Sequence, residues 1–308
     1  MRPRLRGPAL AALLGLACPR RADPPPPARQ VTPAAASPGP VRGVERPPAP
    51  EVLPDFPAAL PDRWEPLGDG VVWRGAEVPF PECRISSPGG VRRLRWVVVR
   101  VDLGRATPRV EPVEQARFAA LADDPTVRGA LNAGFFEPDL RPSGAVVSEG
   151  RLLHPPTSHG GTGLVTIADG RARLVPIARD AGVDAIPGGA SLVVQCTPRL
   201  IEADGSVGIH RDDGRRAARS VLCLRDGGRT LDLIAAWDPD SPGNGPGLWH
   251  LARRLAAPSP VGDPAGCQGA LNLDGGPSTA MLVRPAAGRG FLRPGRGPVP
   301  WALVLRTR

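Results

Sequence analysis

Short apolar segments rich in Val, Ile and Leu recur along this chain, and turns rich in Gly, Asp and Pro separate them. Each segment has the length of a β-strand, and frequent turns between neighbours favour a mainly antiparallel arrangement. The pattern predicts strands at 95–103, 129–131, 145–147, 163–167, 173–177, 191–195, 219–224 and 230–235. We therefore expect a core built mostly from β-strands.

Only two segments have the spacing of a helix. Residues 114–122 predict a short helix that ends before Pro125. A later segment, which ends before Pro258, has its apolar side chains at helical spacing on one face: Leu248, Leu251, Ala252 and Leu255. Because strands outnumber helices, we predict an α+β fold with a mixed, largely antiparallel β-sheet core.

The N-terminus has the features of an export signal. Arg2, Arg4 and Arg6 precede an apolar run at 8–17, which is too short to span a membrane. Cys18 occupies the position of a lipoprotein cysteine, although Gly15 stands where such sites usually have leucine. We predict an exported protein, periplasmic or secreted, with membrane attachment only if Cys18 carries a lipid.

The next segment predicts a linker. Residues 18–66 are rich in Pro, Ala and Arg and have no apolar periodicity, so they cannot bury enough surface to offset the entropy of ordering the chain. The expected organisation is a signal peptide at 1–17, a disordered linker at 18–66 and one folded domain at 67–308.

The net charge of +9 and the pI near 10.9 raise the question of nucleic-acid binding. All the basic side chains other than histidine are arginine, and they are scattered through linker, strands and tail. The aromatic residues that interleave with basic ones in single-strand binders are absent from this pattern. The composition therefore predicts no nucleic-acid partner.

Beyond Cys18 the chain has four cysteines: Cys83, Cys196, Cys223 and Cys267. In an exported protein four cysteines permit two disulfides with three possible pairings. Cys196 and Cys223 both lie in predicted strands that could be neighbours. None of the spacings is the CxxC of zinc or redox sites, so structural bridges or buried thiols are favoured, and we predict no metal site.

The segment LNLDGGPSTAM at 271–281 is the strongest candidate for chemistry. Asp274 follows a short apolar strand, and Gly275 and Gly276 let the backbone turn and approach a ligand closely. Ser278 and Thr279 add short hydrogen-bonding side chains. Taken alone, the same pattern is also that of an ordinary strand followed by a glycine turn.

A tetrapeptide occurs twice in the chain. The sequence GALN stands at 129–132 and again at 269–272, and a polar turn containing glycine follows each copy. Two buried strands that end alike could lie side by side and bring Asn132, Asn272 and Asp274 to one cleft. Coincidence in a chain rich in Ala and Leu is the alternative.

Several motifs together resemble the phosphodiester glycosidase family. They are NAGFF at 132–136, Gly144, the pair Arg219 and Ser220, and LNLDGGPST at 271–279. The resemblance extends from about residue 71 to the C-terminus. The chain departs from the family pattern at Pro277 and Cys223, where glycine is usual. Pro277 removes one amide donor from the turn, which puts the fit of the substrate in doubt.

The resemblance implies a site and a reaction. The implied catalytic residues are Asp274, Arg219 and Asn132. The implied substrate-binding residues are Gly134, Gly275, Gly276, Ser278, Asn272 and Glu137. Asp274 would be nucleophile, base or stabiliser of an oxocarbenium-like transition state, and Arg219 would bind the phosphate. The amides of the two glycines would form an anion nest, and Asn132 would orient sugar hydroxyls or the phosphate.

The resemblance thus predicts an exported hydrolase that cleaves a sugar-1-phosphodiester in a cell-surface or extracellular glycan, with no cofactor. The departing phosphodiester is already a weak base, so one carboxylate suffices. Two alternatives remain open. A polysaccharide-binding or envelope-assembly module would keep the cavity with little or no turnover, and a general glycoside hydrolase would act on substrates that lack phosphate.

Overall fold

The computed structural model describes Leu53 and residues 60–80, 93–287 and 290–307. The predicted signal peptide, Cys18, Cys83 and nearly all of the predicted linker lie outside the described residues. All described residues belong to one compact unit. Among them, no helix is both long and apolar enough to cross a membrane.

The described part of the chain contains seventeen strands and one α-helix. The strands are β1 (Glu65–Gly68), β2 (Val71–Pro79), β3 (Arg93–Asp102), β4 (Arg109–Pro112), β5 (Val127–Asn132), β6 (Val146–Ser148), β7 (Arg151–His154), β8 (Gly163–Ala168), β9 (Arg171–Pro176), β10 (Leu192–Cys196), β11 (Arg199–Ile201), β12 (Arg219–Arg225), β13 (Thr230–Trp237), β14 (Gly269–Asn272), β15 (Met281–Val283), β16 (Phe291–Arg293) and β17 (Trp301–Arg306). The helix is α1 (Leu248–Ala256).

These strands form three sheets. The first has seven strands in the order β1-β2-β3-β13-β12-β14-β11, the second has the order β7-β6-β10-β8-β9, and the third has the order β16-β15-β5-β17-β4. Neighbouring strands within each sheet, from β2 against β3 to β17 against β5, run antiparallel. The predicted α+β class with a largely antiparallel sheet core is confirmed.

The first sheet is buried on both faces. Along β3, Val97 and Val99 pack into a core shared with the other two sheets, whereas Trp96 and Val98 pack into a second core. That second core includes Leu251 of helix α1. A strand covered on both faces has no polar side, which is why β3 has four consecutive apolar residues at 96–99.

The predicted strands all occur in the structure, with bounds shifted by at most two residues, and the predicted late helix corresponds to α1. The predicted helix at 114–122 is wrong: two short 3₁₀ segments, Glu114–Ala116 and Phe118–Asp123, take its place. Arg117 between them is extended, and the carbonyl of Ala116 accepts the amide of Val299 at 2.8 Å. This tertiary hydrogen bond replaces one that a continuous helix would need for itself.

One disulfide is present among the described residues. It joins Cys223, in the middle of β12, to Cys267, just before β14, with Cα atoms 5.6 Å apart. Cys196 is a free, buried thiol at the end of β10. Cys196 and Cys223 lie in different sheets, so the neighbouring strands considered for this pair do not occur.

Candidate active site

Asp274 lies two residues beyond the end of β14. One of its carboxylate oxygens accepts the amide of Gly275 at 2.8 Å, and the hydroxyl of Ser278, which donates to the carbonyl of Pro298 at 3.5 Å, lies close to the carboxylate. Burial raises the pKa of Asp274 above its usual value, and Ser278 and the amide of Gly275 offset only part of that effect. A half-buried carboxylate without a cationic partner is the kind of group found at functional sites.

Arg219 is the first residue of β12, the strand that pairs with β14. Its Nε donates to the carbonyl of Pro246 at 3.1 Å. Its two terminal nitrogens have no hydrogen-bond partner within the described ranges. Burial lowers the pKa of Arg219, and nearby Asp213 counteracts this only in part. The guanidinium fork is therefore held at its base and open at its tip.

Gly275 brings the backbone that follows Asp274 against the base of the Arg219 side chain. A Cβ at position 275 would lie 2.8 Å from the carbonyl oxygen of Ala218 and 3.7 Å from Cδ of Arg219. The first distance is shorter than real Cβ contacts, so a larger residue would push the turn away from β12. Among the described residues, no ion pair joins Asp274 to Arg219. The backbone next to Asp274 thus lies against the base of the Arg219 side chain, while the carboxylate and the guanidinium form no ion pair.

Asn132 is the residue that connects the sheets below the site. Its side-chain nitrogen donates to the backbone carbonyl of Asp274 at 2.8 Å. Its side-chain oxygen accepts the hydroxyl of Ser220 at 2.6 Å and the backbone amide of Ala280 at 3.1 Å. Only 1% of Asn132 is exposed. These contacts favour a positioning role, whereas its predicted role in orienting the substrate stays a prediction.

The two GALN segments meet at their ends. They do not lie side by side, as considered from the repeat, because β5 belongs to the third sheet and β14 to the first. The amide of Asp274 nevertheless donates to the carbonyl of Ala133 at 3.3 Å, beside the bond from Asn132. The expected convergence of Asn132 and Asp274 therefore occurs through contact between sheets.

The expected anion nest is not formed. The amide of Gly275 donates to the carboxylate of Asp274, and the amide of Gly276 donates to the carbonyl of Ala218 at 2.7 Å. Neither amide is available to an anion in this conformation, so this part of the expectation is wrong. The glycines permit the close approach to β12, with φ of +57° at Gly276, and anion binding would rest on Arg219.

Pro277 fits the turn that it occupies. It lies within the 3₁₀ turn Gly276–Ser278, and its carbonyl accepts the amide of Arg296 at 2.7 Å. A Cβ at Gly297 would lie 3.3 Å from Cβ of Pro277, so the proline is close to the segment after β16. The missing proline amide costs little here, because the first amides of a helical turn have no partner within the turn.

Asn272 has a buried oxygen that lacks a partner. Its amide nitrogen donates to the carbonyls of Leu273 at 2.7 Å and Thr197 at 3.2 Å, but its side-chain oxygen accepts no hydrogen bond from any described residue. Such an oxygen is a possible acceptor for a ligand or a water. The predicted substrate contact of Asn272 remains a prediction.

The loop after β5 carries Gly134 and Glu137. A Cβ at Gly134 would lie 3.1 Å from the carbonyl oxygen of Gln195, which keeps this loop against β10. Glu137 lines a cavity of about 500 Å³ together with Ser143 and His159, whose Nδ1 lies 3.9 Å from the Glu137 carboxylate. The predicted substrate contacts of both residues stay predictions.

Two residues at the end of β10 were not predicted. Gln195 is buried, its side-chain oxygen accepts the amide of Ala145 at 2.8 Å, and its nitrogen donates to the carbonyl of Gly161 at 2.7 Å. The thiol of Cys196 is close enough to Asp274 to interact with it electrostatically, and burial raises the pKa of this thiol to about 12. The signal for Gln195 was one polar residue within a buried apolar strand.

Arg293 is a further unexpected cation behind the glycine turn. Its Nε donates to the carbonyl of Thr279 at 3.2 Å, another nitrogen donates to the carbonyl of Pro242, and its guanidinium lies 4.7 Å from the ring centre of Trp237. Burial and the nearby Arg296 lower the pKa of Arg293 to about 10. No local sequence pattern marks this arginine as buried.

Comparisons with known proteins agree with the motifs. The family model described as phosphodiester glycosidase matches residues 125–306, which is more than half of the chain. No curated protein matches significantly. The catalytic domain of zebrafish N-acetylglucosamine-1-phosphodiester alpha-N-acetylglucosaminidase has a similar fold, with 14% identity and a TM-score of 0.55 over 84% of this chain and 87% of that one.

A hypothetical protein from Synechocystis matches with 16% identity and a TM-score of 0.49. That match covers 78% of this chain and 62% of the cyanobacterial one, so the chain spans less than two thirds of that relative. The region matched by the family model contains Asn132, Arg219 and Asp274. On the extent of that match, the chain belongs to the phosphodiester glycosidase family.

Proposed function

We propose that this domain hydrolyses a sugar-1-phosphodiester and that Asp274 and Arg219 carry the reaction. The observation that carries the proposal is that a half-buried carboxylate and a half-buried guanidinium lie on either side of Gly275 and that neither forms an ion pair among the described residues. Leaving a half-buried carboxylate and guanidinium without partners is unfavourable, unless a ligand completes their interactions. A sugar phosphodiester offers an anion to Arg219 and an electron-poor anomeric carbon to Asp274.

The proposed chemistry follows from these two groups. The terminal nitrogens of Arg219 bind the phosphate oxygens and stabilise the charge that develops as the bond from the anomeric carbon to the phosphate oxygen breaks. Asp274 stabilises the positive anomeric carbon, bonds to it, or accepts a proton from the attacking water. The phosphate leaves as an anion, so it needs no proton from the protein at that step.

In this proposal Asn132 positions Asp274 and does not touch the substrate. Its bond to the Asp274 carbonyl fixes the backbone that carries the carboxylate, and its bonds to Ser220 and Ala280 fix its own orientation. Catalysis is sensitive to such support, because small displacements of a reacting group cost large factors in rate. Ser278, which lies close to the carboxylate and lowers its pKa, has a similar role.

We further propose that the protein is exported and acts on a glycan at the cell surface or outside the cell. The N-terminal sequence supports export, and the disulfide between Cys223 and Cys267 supports an oxidising compartment such as the periplasm. Lipid attachment at Cys18 remains an alternative to release, and the sugar and the aglycone are open. Radiolabelled palmitate on the wild-type protein but not on a Cys18→Ala variant would demonstrate the anchor.

The central experiment is an activity assay on N-acetylglucosamine 1-(methyl phosphate). We expect Asp274→Asn to lower kcat/KM by about 10³- to 10⁴-fold and Arg219→Ala to lower it by about 10²- to 10³-fold. Arg173→Ala, which removes an exposed arginine from β9, is the matched control and should leave turnover unchanged. Wild-type binding of this substrate without turnover would favour the binding-module alternative over hydrolysis.

Two further experiments sharpen the test. Hydrolysis in ¹⁸O-labelled water should place the label on the sugar, because the proposal has the water oxygen joining the anomeric carbon; label in the phosphate would show attack at phosphorus. A methyl glycoside without phosphate should react far more slowly, since Arg219 has no anion to bind. Equal rates on the two substrates would identify a general glycoside hydrolase.

A further inference from the structure

A second cavity, with a charged lining, lies away from the candidate active site. It is formed beside the start of β4 and the end of β17. Its volume is about 730 Å³, and its charged lining consists of Arg105, Arg109, Arg128, Arg306, Asp69 and Glu149. Cationic side chains therefore outnumber anionic ones. None of the residues predicted for the active site belongs to this lining.

Arg128 connects this cavity to the strand that carries Asn132. Both residues lie on β5, four positions apart. At about 3.3 Å per residue, their Cα atoms are roughly 13 Å apart along the strand. Because Asn132 is at the end of β5 below Asp274, the cavity lies near the opposite end of the strand and forms a separate site.

Three of the four arginines already have carboxylate partners. Arg109 lies 3.2 Å from Glu149, and Arg306 lies 2.7 Å from Glu111. Arg105 forms an ion pair with Asp69. Each of these cations is therefore at least partly neutralised by the protein.

Arg128 differs from the other three. Its Nε is buried and donates to no described acceptor, and no ion pair to Arg128 occurs among the described residues. Water around an exposed arginine satisfies its donors, but a buried N–H needs an acceptor close by. A guanidinium presents donors in a rigid fork that matches the oxygens of phosphate, sulfate or carboxylate. The cavity supplies the space for such an acceptor.

We propose that this cavity binds a small oxyanion, of which inorganic phosphate is the simplest, with Arg128 as its principal ligand. Arg109 contributes attraction from the rim, where half of its side chain is exposed. The site is distinct from the one that holds Arg219, and it does not depend on the proposed hydrolase activity. Thr107 also lines the cavity and carries a hydroxyl of the kind that donates to anions, whereas the hydroxyl of Ser191 donates to the carbonyl of Ile167 at 3.0 Å.

The test separates the two expected anion sites by working in the Arg219→Ala background. Inorganic phosphate is titrated into this variant by calorimetry at constant ionic strength, and chloride is titrated as the control anion. We expect one saturable phosphate site and no saturable chloride binding. Adding Arg128→Gln should weaken phosphate binding about tenfold or more, because it removes a charge-assisted hydrogen-bonding fork.

Matched variants guard against a trivial result. Arg109→Gln, at the exposed rim, should weaken binding by roughly two- to fivefold, whereas Arg173→Gln on β9 should have no effect. If Arg128→Gln does not fold, as judged by its thermal melt, Arg109→Gln and Arg128→Lys carry the test, and both should bind phosphate more weakly than the parent. Absence of saturable phosphate binding in the Arg219→Ala protein, or equal affinity in the cavity variants and their parent, would overturn the proposal.

Discussion

The two ends of strand β12 place an arginine in opposite situations. Arg225, the last residue, donates to Asp232 at 2.7 Å, and Arg100 of β3 donates to both Asp232 and Asp263 at 2.7–2.8 Å. We call these four residues the ion network. Arg219, the first residue of the same strand, donates to the carbonyl of Pro246 and forms no ion pair among the described residues.

The pKa of Arg100 in the network and the pKa of Arg219 at the site shift in opposite directions. At the network, burial would lower the pKa of Arg100, but its bonds to Asp232 and Asp263 outweigh burial and raise it. At the site, burial prevails, so the pKa of Arg219 falls and that of Asp274 rises. The paired charges of the network hold the fold, whereas half-buried charges without an ion-pair partner indicate a place where a ligand binds.

The largest effect on stability should follow from breaking the ion network. Asp232→Asn leaves Arg100 and Arg225 buried with one carboxylate between them, and removing one partner of a buried pair costs about 3–5 kcal/mol. We expect that loss in the free energy of unfolding measured with urea. Turnover of the folded protein should be unchanged, since the network lies at the other end of β12 from Arg219.

We expect Asp274→Asn, measured in the same way, to show the reverse profile: lost turnover and no loss of stability. A drop of several kcal/mol in Asp274→Asn would mean that Asp274 is as structural as Asp232. The distinction between the two ends would then fail.

The disulfide tests whether the two ends of β12 are coupled. It ties β12 to the segment before β14, at the network end of both strands. The Cys223→Ala, Cys267→Ala double variant should lose about 2–4 kcal/mol of stability. At a temperature where it is folded, its kcat/KM should stay within about twofold of wild type, because the bond of Arg219 to a carbonyl and the contacts of Asn132 hold the site independently of the disulfide. A large fall in kcat/KM would show that the disulfide also positions the site.

The parts of the fold that could be predicted are those whose signal is local. Strands β3 and β13 are covered on both faces, so burial produces the consecutive apolar residues at 96–99 and 233–237. The short strands β15 and β16 have three residues each and exist because of their pairing with other strands. The segment at 114–122 has an amphipathic pattern, yet hydrogen bonds to the distant residues Val299 and Pro300 decide its backbone.

The same division applies to the site. The family motifs predict that Asn132, Arg219 and Asp274 share one site. In the structure the side chain of Asn132 donates to the carbonyl of Asp274, and the base of the Arg219 side chain lies beside Gly275. Whether the amides of Gly275 and Gly276 are free could not be predicted, because their acceptors are set by how β12 meets the turn. The contacts of Asn132 and the buried position of Arg293 depend on sheet packing in the same way.

A smaller effect, of opposite sign to the network's, should appear in the stability of Asp274→Asn as a function of pH. The folded-state pKa of Asp274 is raised, so wild-type stability is fully present below the unfolded pKa and falls as pH rises through the folded pKa. Asparagine keeps the acceptor for Gly275 and cannot ionise. The variant should therefore melt at a higher temperature than wild type at pH 7, and this difference should vanish on acidification below pH of about 4.

The smallest expected effect comes from a paired carboxylate at the surface. Asp124 accepts hydrogen bonds from Arg306 and from the hydroxyl and amide of Thr126, which together lower its pKa to about 2. A lowered folded-state pKa gives stability that is present above the unfolded value and is lost as pH falls through about 2. Because 39% of the Asp124 side chain is exposed, solvent screening limits the gain to about 1 kcal/mol or less.

Asp124→Asn should therefore melt at a slightly lower temperature than wild type at pH 7, and the difference should shrink toward pH 2. Its sign is opposite to that of Asp274→Asn, although both changes replace an aspartate by its isosteric amide. Thermal melts of the two variants and wild type over pH 2–8 in one buffer series measure both differences. If both variants moved in the same direction at pH 7, pairing would not be what separates the carboxylate of the site from the carboxylates that hold the fold.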